Sequence, residues 1–435
     1  FGRKRDMLAA TFNHSCGPER RSGWWLKPWQ RLPTPSTSRC VTVIGAGLAG
    51  CASARALAER GYQVTLVDGK GIANGASGHP QGGLYIKLAA DDNAVHSEFY
   101  RSAYLLALGS VKQQLGPSCN NPYWRQCGVL QLAYNDGEQQ RQQRFIERQQ
   151  PSKELVYALD QNRASELAGL DLPTGGLFVP QAGWVSPGDY CRALASHPNI
   201  EFKQVQVSQI SYHPGWTIQA SGGNWHSEQV VIATAHDAKH LLPNAYLPVK
   251  SIRGQLSLLD SNGLLSPQVV LCARSYMPPA HQQQVCLGAT YHLNDPEPEV
   301  RSGDHLQNMA HLQDFGLQAD DNQILGGRVG FRCTTPDYLP MAGPVVDQQT
   351  FLQDFAPMVK NAKQVPQVDM PYLPGLWLNI GHGSRGLASA ALCGELIAAQ
   401  MDGDGLPTST RVADALSPNR FLLRDMIRRK VTPKV

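Results

Sequence analysis

Apolar positions along the chain change their period several times, and these changes mark out the elements. Residues 1–39 show no periodicity. Pro, Ser and Arg dominate there, Trp24, Trp25 and Trp29 are interspersed, and Pro33 and Pro35 would break any helix, so the segment reads as a linker. An apolar run at 41–44 then meets Gly45, Gly47 and Gly50 and passes into an Ala-rich stretch at 48–60 that Gly61 ends. A second apolar run at 62–67 stops at Asp68. This order predicts strand, helix, strand. Helical spacing returns at 94–114, in polar form at 138–150, and at 387–401. Short runs of β type, bounded by Gly and Pro, fill the intervals at 128–133, 183–186, 200–210, 229–235, 255–259, 284–290 and 329–333. A last run at 376–380 enters a second glycine-rich turn at 381–386, just ahead of the helix 387–401. No repeat is visible. The expected fold class is α/β (α+β): a nucleotide-binding βαβ core whose pieces are separated by β-rich insertions.

With 435 residues the chain can bury a large core and form two domains. Its 42% hydrophobic and 17% charged content exclude a disordered polyelectrolyte. The longest apolar stretch, 387–401, is too short to span a bilayer and contains Glu395, so no membrane partner is expected. Ten cysteines occur without a C-x-x-C pair, which points to reduced thiols in a cytoplasmic protein and to no metal site. The start at Phe1, without an apolar leader, reads as a boundary within a longer protein. A formal charge of +4 conceals +6 in residues 1–39, +5 in 411–435 and −7 between them. Basic ends on an acidic body suit a polyanion partner, and equally suit solvated tails.

The first glycine loop has the context that makes such a motif informative. A strand precedes Gly45, a helix follows Gly47, and Asp68 ends the next strand. Gly45 permits the tight turn, Gly47 lets backbone approach a pyrophosphate, and Gly50 lets helix and strand pack closely. Asp68 would accept from ribose hydroxyls. The second turn, at 381–386, favours FAD over NAD, because a helix N-terminus there would place positive potential beside the pyrimidine end of a flavin.

These residues, together with Gly75-Ala-Ser-Gly-His-Pro-Gln-Gly-Gly-Leu-Tyr85, resemble the FAD fingerprint of the D-amino-acid oxidase/glycine oxidase superfamily. Within it, that segment, the stretches 326–343 and 381–401, and Leu416-Ser-Pro-Asn-Arg420 are similar to the FAD domain of the bifunctional enzymes that modify the tRNA wobble uridine. Gly2-Arg-Lys-Arg-Asp-Met7 resembles the last strand of their methyltransferase domain.

The resemblance implies a Rossmann-like FAD-binding domain of glycine-oxidase type (40–90, 155–245 and 326–410). An inserted, mainly antiparallel substrate domain (91–154 and 246–325) and a basic tail (411–435) would complete the chain. It implies non-covalent FAD held by Gly45, Ala46, Gly47, Leu48, Ala49, Gly50, Asp68, Gly69, Ala76, Ser77, Gln81, Gly82, Gly83, Leu84, Val207, Ala233, Thr234, Gly381, His382, Gly383, Ser384, Arg385, Gly386 and Leu387. Ala235 stands where the family places a glycine. Arg332 is implied as the clamp for a substrate carboxylate and Tyr276 as its assisting hydroxyl. The implied reaction removes the carboxymethyl group of 5-carboxymethylaminomethyl-(2-thio)uridine in tRNA as glyoxylate. S-adenosylmethionine would serve only the upstream methyltransferase domain, and the chain is expected to be a monomer.

Other constellations carry less. His382 is expected to cap or pack rather than act as a base. His236 and His240 have helical spacing but no third ligand. His382-Gly-Ser-Arg-Gly386 is not a nucleophile elbow, because a histidine occupies its first position. In 419–430, Phe421, Leu422 and Met426 share a helical face opposite arginines, a pattern that suits docking on the body with cations offered to RNA phosphates, and equally suits a solvated amphipathic end. Two other readings stay open: an oxidase of a free amino acid such as glycine or sarcosine, and a flavin-bearing tRNA-binding module with little turnover.

Overall fold

The computed structural model describes residues 27–86, 88 and 94–432. The methyltransferase-like residues 2–7, with Trp24 and Trp25, lie outside them. Residues 27–39, expected as linker, are strapped to the body: Gln30 Nε2 donates to Asp414 at 2.6 Å, and Arg39 pairs with Asp402.

Two sheets organise the chain. The first has six strands in the order Met341–Val346, Tyr372–Ile380, Gln229–Ile232, Cys40–Ile44, Gln63–Val67, Ile200–Lys203. All its pairs are parallel except the one between Met341–Val346 and Tyr372–Ile380. The central strands are apolar along almost their whole length because both faces are covered, one by helices Leu48–Ala58 and Gly386–Asp402 and the other largely by the strands Val207–Tyr212 and Trp216–Ala220. Helices Leu48–Ala58 and Gly386–Asp402 pack together through alanines and glycines, and a Cβ on Gly394 would lie 2.8 Å from the Ala52 backbone.

The second sheet has nine strands, built around the antiparallel pair Lys250–Asp260 and Ile324–Thr334. One of its pairs, Val129–Leu132 with Val270–Cys272, is parallel. Tyr157–Leu159, Gly176–Val179 and Ile324–Thr334 also belong to this sheet, although the sequence reading groups them with the nucleotide-binding part. The predicted run 200–210 splits. Ile200–Lys203 closes the six-stranded sheet, whereas Val207–Tyr212 opens a three-stranded antiparallel sheet. The break is where Gln206 packs on Gly69, leaving no room for a Cβ there.

The basic tail is integral to the fold. Helices Thr410–Leu416 and Arg420–Ile427 bury Leu416, Phe421, Leu422 and Met426. Of its cations, Arg411 pairs with Glu98, Arg420 with Asp337 and Arg424 with Asp425. Arg428, Arg429 and Lys430 are exposed.

Candidate active site

A cleft of about 770 Å³ runs from the C-terminal ends of the parallel strands to the face of the nine-stranded sheet. Ligands of open α/β sheets occupy this position.

At its first end the geometry is carried by backbone. Gly45 takes φ +104°, its N–H donates to Val67 O at 2.8 Å, and a Cβ there would lie 2.6 Å from Ala233 O. A Cβ on Gly50 would lie 1.7 Å from Gly45 O, so the helix sits directly on the loop. Asp68 accepts from the N–H of Ala46 (2.9 Å) and of Lys70 (2.8 Å), which orients its carboxylate and leaves lone pairs for hydroxyl donors. Ser77 Oγ reaches back to accept from Leu48 N at 3.0 Å. Ala235 adopts φ +55°, the left-handed conformation that its family counterpart would reach without strain. The Thr234 hydroxyl beside it is buried without a partner among the described residues.

The second glycine turn is tied to the nine-stranded sheet, with Gly383 N donating to Cys333 O at 2.7 Å. His382 sits inside it with both ring nitrogens engaged, Nδ1 with Ser389 Oγ at 2.7 Å and Nε2 with Asn379 Oδ1 at 2.9 Å. The latter acceptor requires an Nε2–H. Burial holds this imidazole neutral, at about 4. Its ring is packed between Ser389 and Asn379.

At the far end the site is made of side chains. On one face of Ile324–Thr334, Arg328, Gly330 and Arg332 alternate, opposite Gly254 on the paired strand. The Arg332 guanidinium lies across Gly254, where a Cβ would come 2.4 Å from Nη1. Arg332 Nη1 donates to Thr290 O at 3.0 Å, and its Cζ stands 5.9 Å from the Tyr291 ring centroid. Arg332 has no carboxylate partner among the described residues, and burial pulls its pKa down. His79 fills the space that Gly330 leaves. It is held at about 3 by burial and then by the charges of Arg328 and Arg332, with Nδ1 unpartnered among the described residues. The Tyr276 hydroxyl donates to Gln81 O at 2.8 Å, so its proton is directed away from any carboxylate on Arg332. Burial raises this phenol well above its ordinary range.

Of the sequence-derived candidates, Gly45, Gly47, Leu48, Ala49, Asp68, Gly69, Ala76, Ser77, Gly82, Gly83, Val207, Ala233, Thr234, Gly381, His382, Gly383, Ser384, Gly386 and Leu387 line the cleft together with Tyr276 and Arg332. Five do not. Ala46 and Gly50 shape the loop from behind. Gln81, 1% exposed, turns away and donates to Pro279 O at 3.1 Å. Leu84 is in the core, and Arg385 lies over the Tyr85 ring at 5.3 Å. Sequence reasoning missed His79, Gly254, Thr290 and Tyr291. Only His79 lay in a quoted motif, and the other three gain meaning from the pairing of distant strands.

The residues present suit a flavin dinucleotide. Two glycine cradles that a Cβ would fill bracket the cleft, and unpartnered polar atoms of Thr234 and His79 lie within it. Among solved structures, glycine oxidase from Geobacillus kaustophilus aligns at TM-score 0.69 with 20% identity, covering 87% of this chain and 98% of that one. L-proline dehydrogenase from P. horikoshii aligns at 0.66 with 16% identity, covering 92% and 100%. These likenesses establish the fold. A relative from Ectopseudomonas mendocina, the tRNA 5-methylaminomethyl-2-thiouridine biosynthesis bifunctional protein MnmC, is 42% identical over 100% of this chain and 66% of its own length. The protein of the same name from Pseudomonas aeruginosa is 39% identical over 98% of this chain. The chain therefore spans just under two thirds of the length of these relatives. The model of the family "FAD dependent oxidoreductase" (DAO) matches residues 40–400, and the chain belongs to that family.

Proposed function

We propose that the chain oxidises the carboxymethylaminomethyl arm of a modified wobble uridine in tRNA. The observation that carries this reading is Arg332: a partly buried guanidinium, facing a cleft, with no carboxylate partner among the described residues. A cation left so is costly unless an anion completes it, and a glycine-like carboxylate fits its planar fork. FAD, held without a covalent link by the two glycine turns, Asp68 and Ser77, supplies the two-electron acceptor for the substrate C–N bond. Arg332, set by Thr290 O and Gly254, orients the carboxylate so that the adjacent carbon faces the cofactor.

The secondary amine loses two electrons and two protons to become an imine. Water then divides the imine into glyoxylate and 5-aminomethyluridine. His79 and His382, both neutral, place no positive charge against an arriving amine.

The names of the relatives support tRNA as partner, and the exposed Arg428, Arg429 and Lys430 offer phosphate contacts. A methyltransferase domain of the same native chain, using S-adenosylmethionine, would then methylate the amine. Among the described residues no helix is long and apolar enough to cross a membrane. A cytoplasmic monomer is the setting we infer.

Anaerobic mixing tests the reading. Flavin absorbance is followed after adding tRNA that carries the carboxymethylaminomethyl group, or glycine, or sarcosine. Bleaching by the tRNA alone is expected. Bleaching by the free amino acids alone would replace this reading with an amino-acid oxidase, and bleaching by none with a binding module.

A further inference from the structure

Tyr291 is 57% exposed, yet its flanks are pinned. Thr290, 1% exposed, donates its N–H to Gln255 O at 3.2 Å and accepts from Gln255 N at its hydroxyl at 3.0 Å. His292 pairs with Arg253 in the sheet, and its Nε2 meets Asp304 Oδ1 at 2.6 Å. Asp304 in turn pairs with the fully buried Arg253. A large aromatic ring is thus presented to solvent by a backbone with little freedom, beside the arginine that closes the cleft. Tyr338 is likewise exposed, at 60%.

The distances suit a base. The arm of the proposed substrate runs from carboxylate to pyrimidine ring over a few single bonds, roughly 5 Å at about 1.3 Å of reach per bond. The Tyr291 centroid stands 5.9 Å from the Arg332 Cζ that would hold the carboxylate. Unstacked bases in RNA recognition are taken up on aromatic faces at this kind of rim.

Resting on the reading above, we infer that Tyr291 is the stacking platform for the pyrimidine ring of the substrate, so that a single loop sets both ends of the ligand. Thr290 steadies the carboxylate clamp and Tyr291 receives the base.

The test uses the FAD-loaded chain with the nucleoside 5-carboxymethylaminomethyluridine and with an RNA stem-loop carrying it. Tyr291→Leu is expected to raise the concentration for half-maximal flavin reduction by about tenfold for both. The effect should fall on that concentration and not on the saturated rate, while Tyr291→Phe and Tyr291→Trp stay near the unaltered chain. An unchanged half-saturation in Tyr291→Leu would overturn the inference. So would a loss shared by the Phe and Trp variants, which would mark a merely structural role. If the unaltered chain is bleached by neither nucleoside nor RNA, the proposed function itself fails, a result read before any variant is made.

Discussion

Gly45, Gly47 and Gly381 line the wall of the cleft that the six-stranded sheet contributes, whereas Arg332 and Tyr276 line the wall contributed by the nine-stranded sheet, with Tyr291 beside Arg332. On the first wall the functional atoms are backbone N–H groups, and the side chains that matter are the missing ones. On the second, the backbone is an ordinary antiparallel ladder and the function rests on a cation and aromatic rings. The first wall can be altered only by breaking it. The second can lose its chemistry and keep its fold.

Gly50→Ala should have the largest effect. The new Cβ would fall 1.7 Å from Gly45 O, with backbone on both sides, so the helix must lift off the loop. A loss of about 3 kcal/mol or more is expected, read as a lower melting midpoint and an absent flavin spectrum. Normal flavin content in this variant would break the account of the first wall.

Arg332→Ala comes next and separates the walls. Flavin loading should persist while kcat/KM for the modified tRNA falls by about ten- to a hundredfold, since a charge-assisted hydrogen bond contributes about 1.5–3 kcal/mol. Arg332→Met should go further and raise the melting midpoint of the chain, because it replaces a partly buried cation, without a carboxylate partner among the described residues, by an apolar side chain. A lower midpoint for Arg332→Met would mean that the arginine has a structural partner.

The smallest effect is a pH slope on the first wall. His382 is held at about 4 in the folded chain, below its ordinary 6.5. The unfolded chain therefore binds more protons between these values, and stability falls as pH drops from about 6.5 towards 4, by about 1 kcal/mol per pH unit. Above 6.5 the group contributes no slope. Urea midpoints at pH 5, 6 and 7 should show a shallower dependence in His382→Gln than in the unaltered chain, and equal slopes would remove His382 from this role.

Much of the first wall was legible in the residues. A strand, three spaced glycines, an alanine-rich helix and a terminal Asp68 are local and contiguous, and each glycine answers a local steric demand. Gln81, Leu84 and Arg385 were misplaced for a related reason. A motif says which residues lie near a ligand, but strand alternation and helix phase decide which of them turn towards it. The ion pairs of the basic tail were out of reach in the same way. Its arginines were visible as charge, while their partners Asp337 and Glu98 come from distant segments.

By itself the sequence determined the nucleotide-binding plan, because turn geometry, helix entry and apolar periodicity act over a few residues. It also put Arg332 forward, though only through family resemblance. What the tertiary structure alone decided is the setting in which that arginine has no carboxylate beside it among the described residues. Its guanidinium lies across Gly254 on a partner strand, under Thr290 and next to Tyr291, a neighbourhood created by pairing segments some forty to eighty positions apart. Burial and electrostatic isolation belong to that assembled neighbourhood, since a side chain's solvation depends on everything around it.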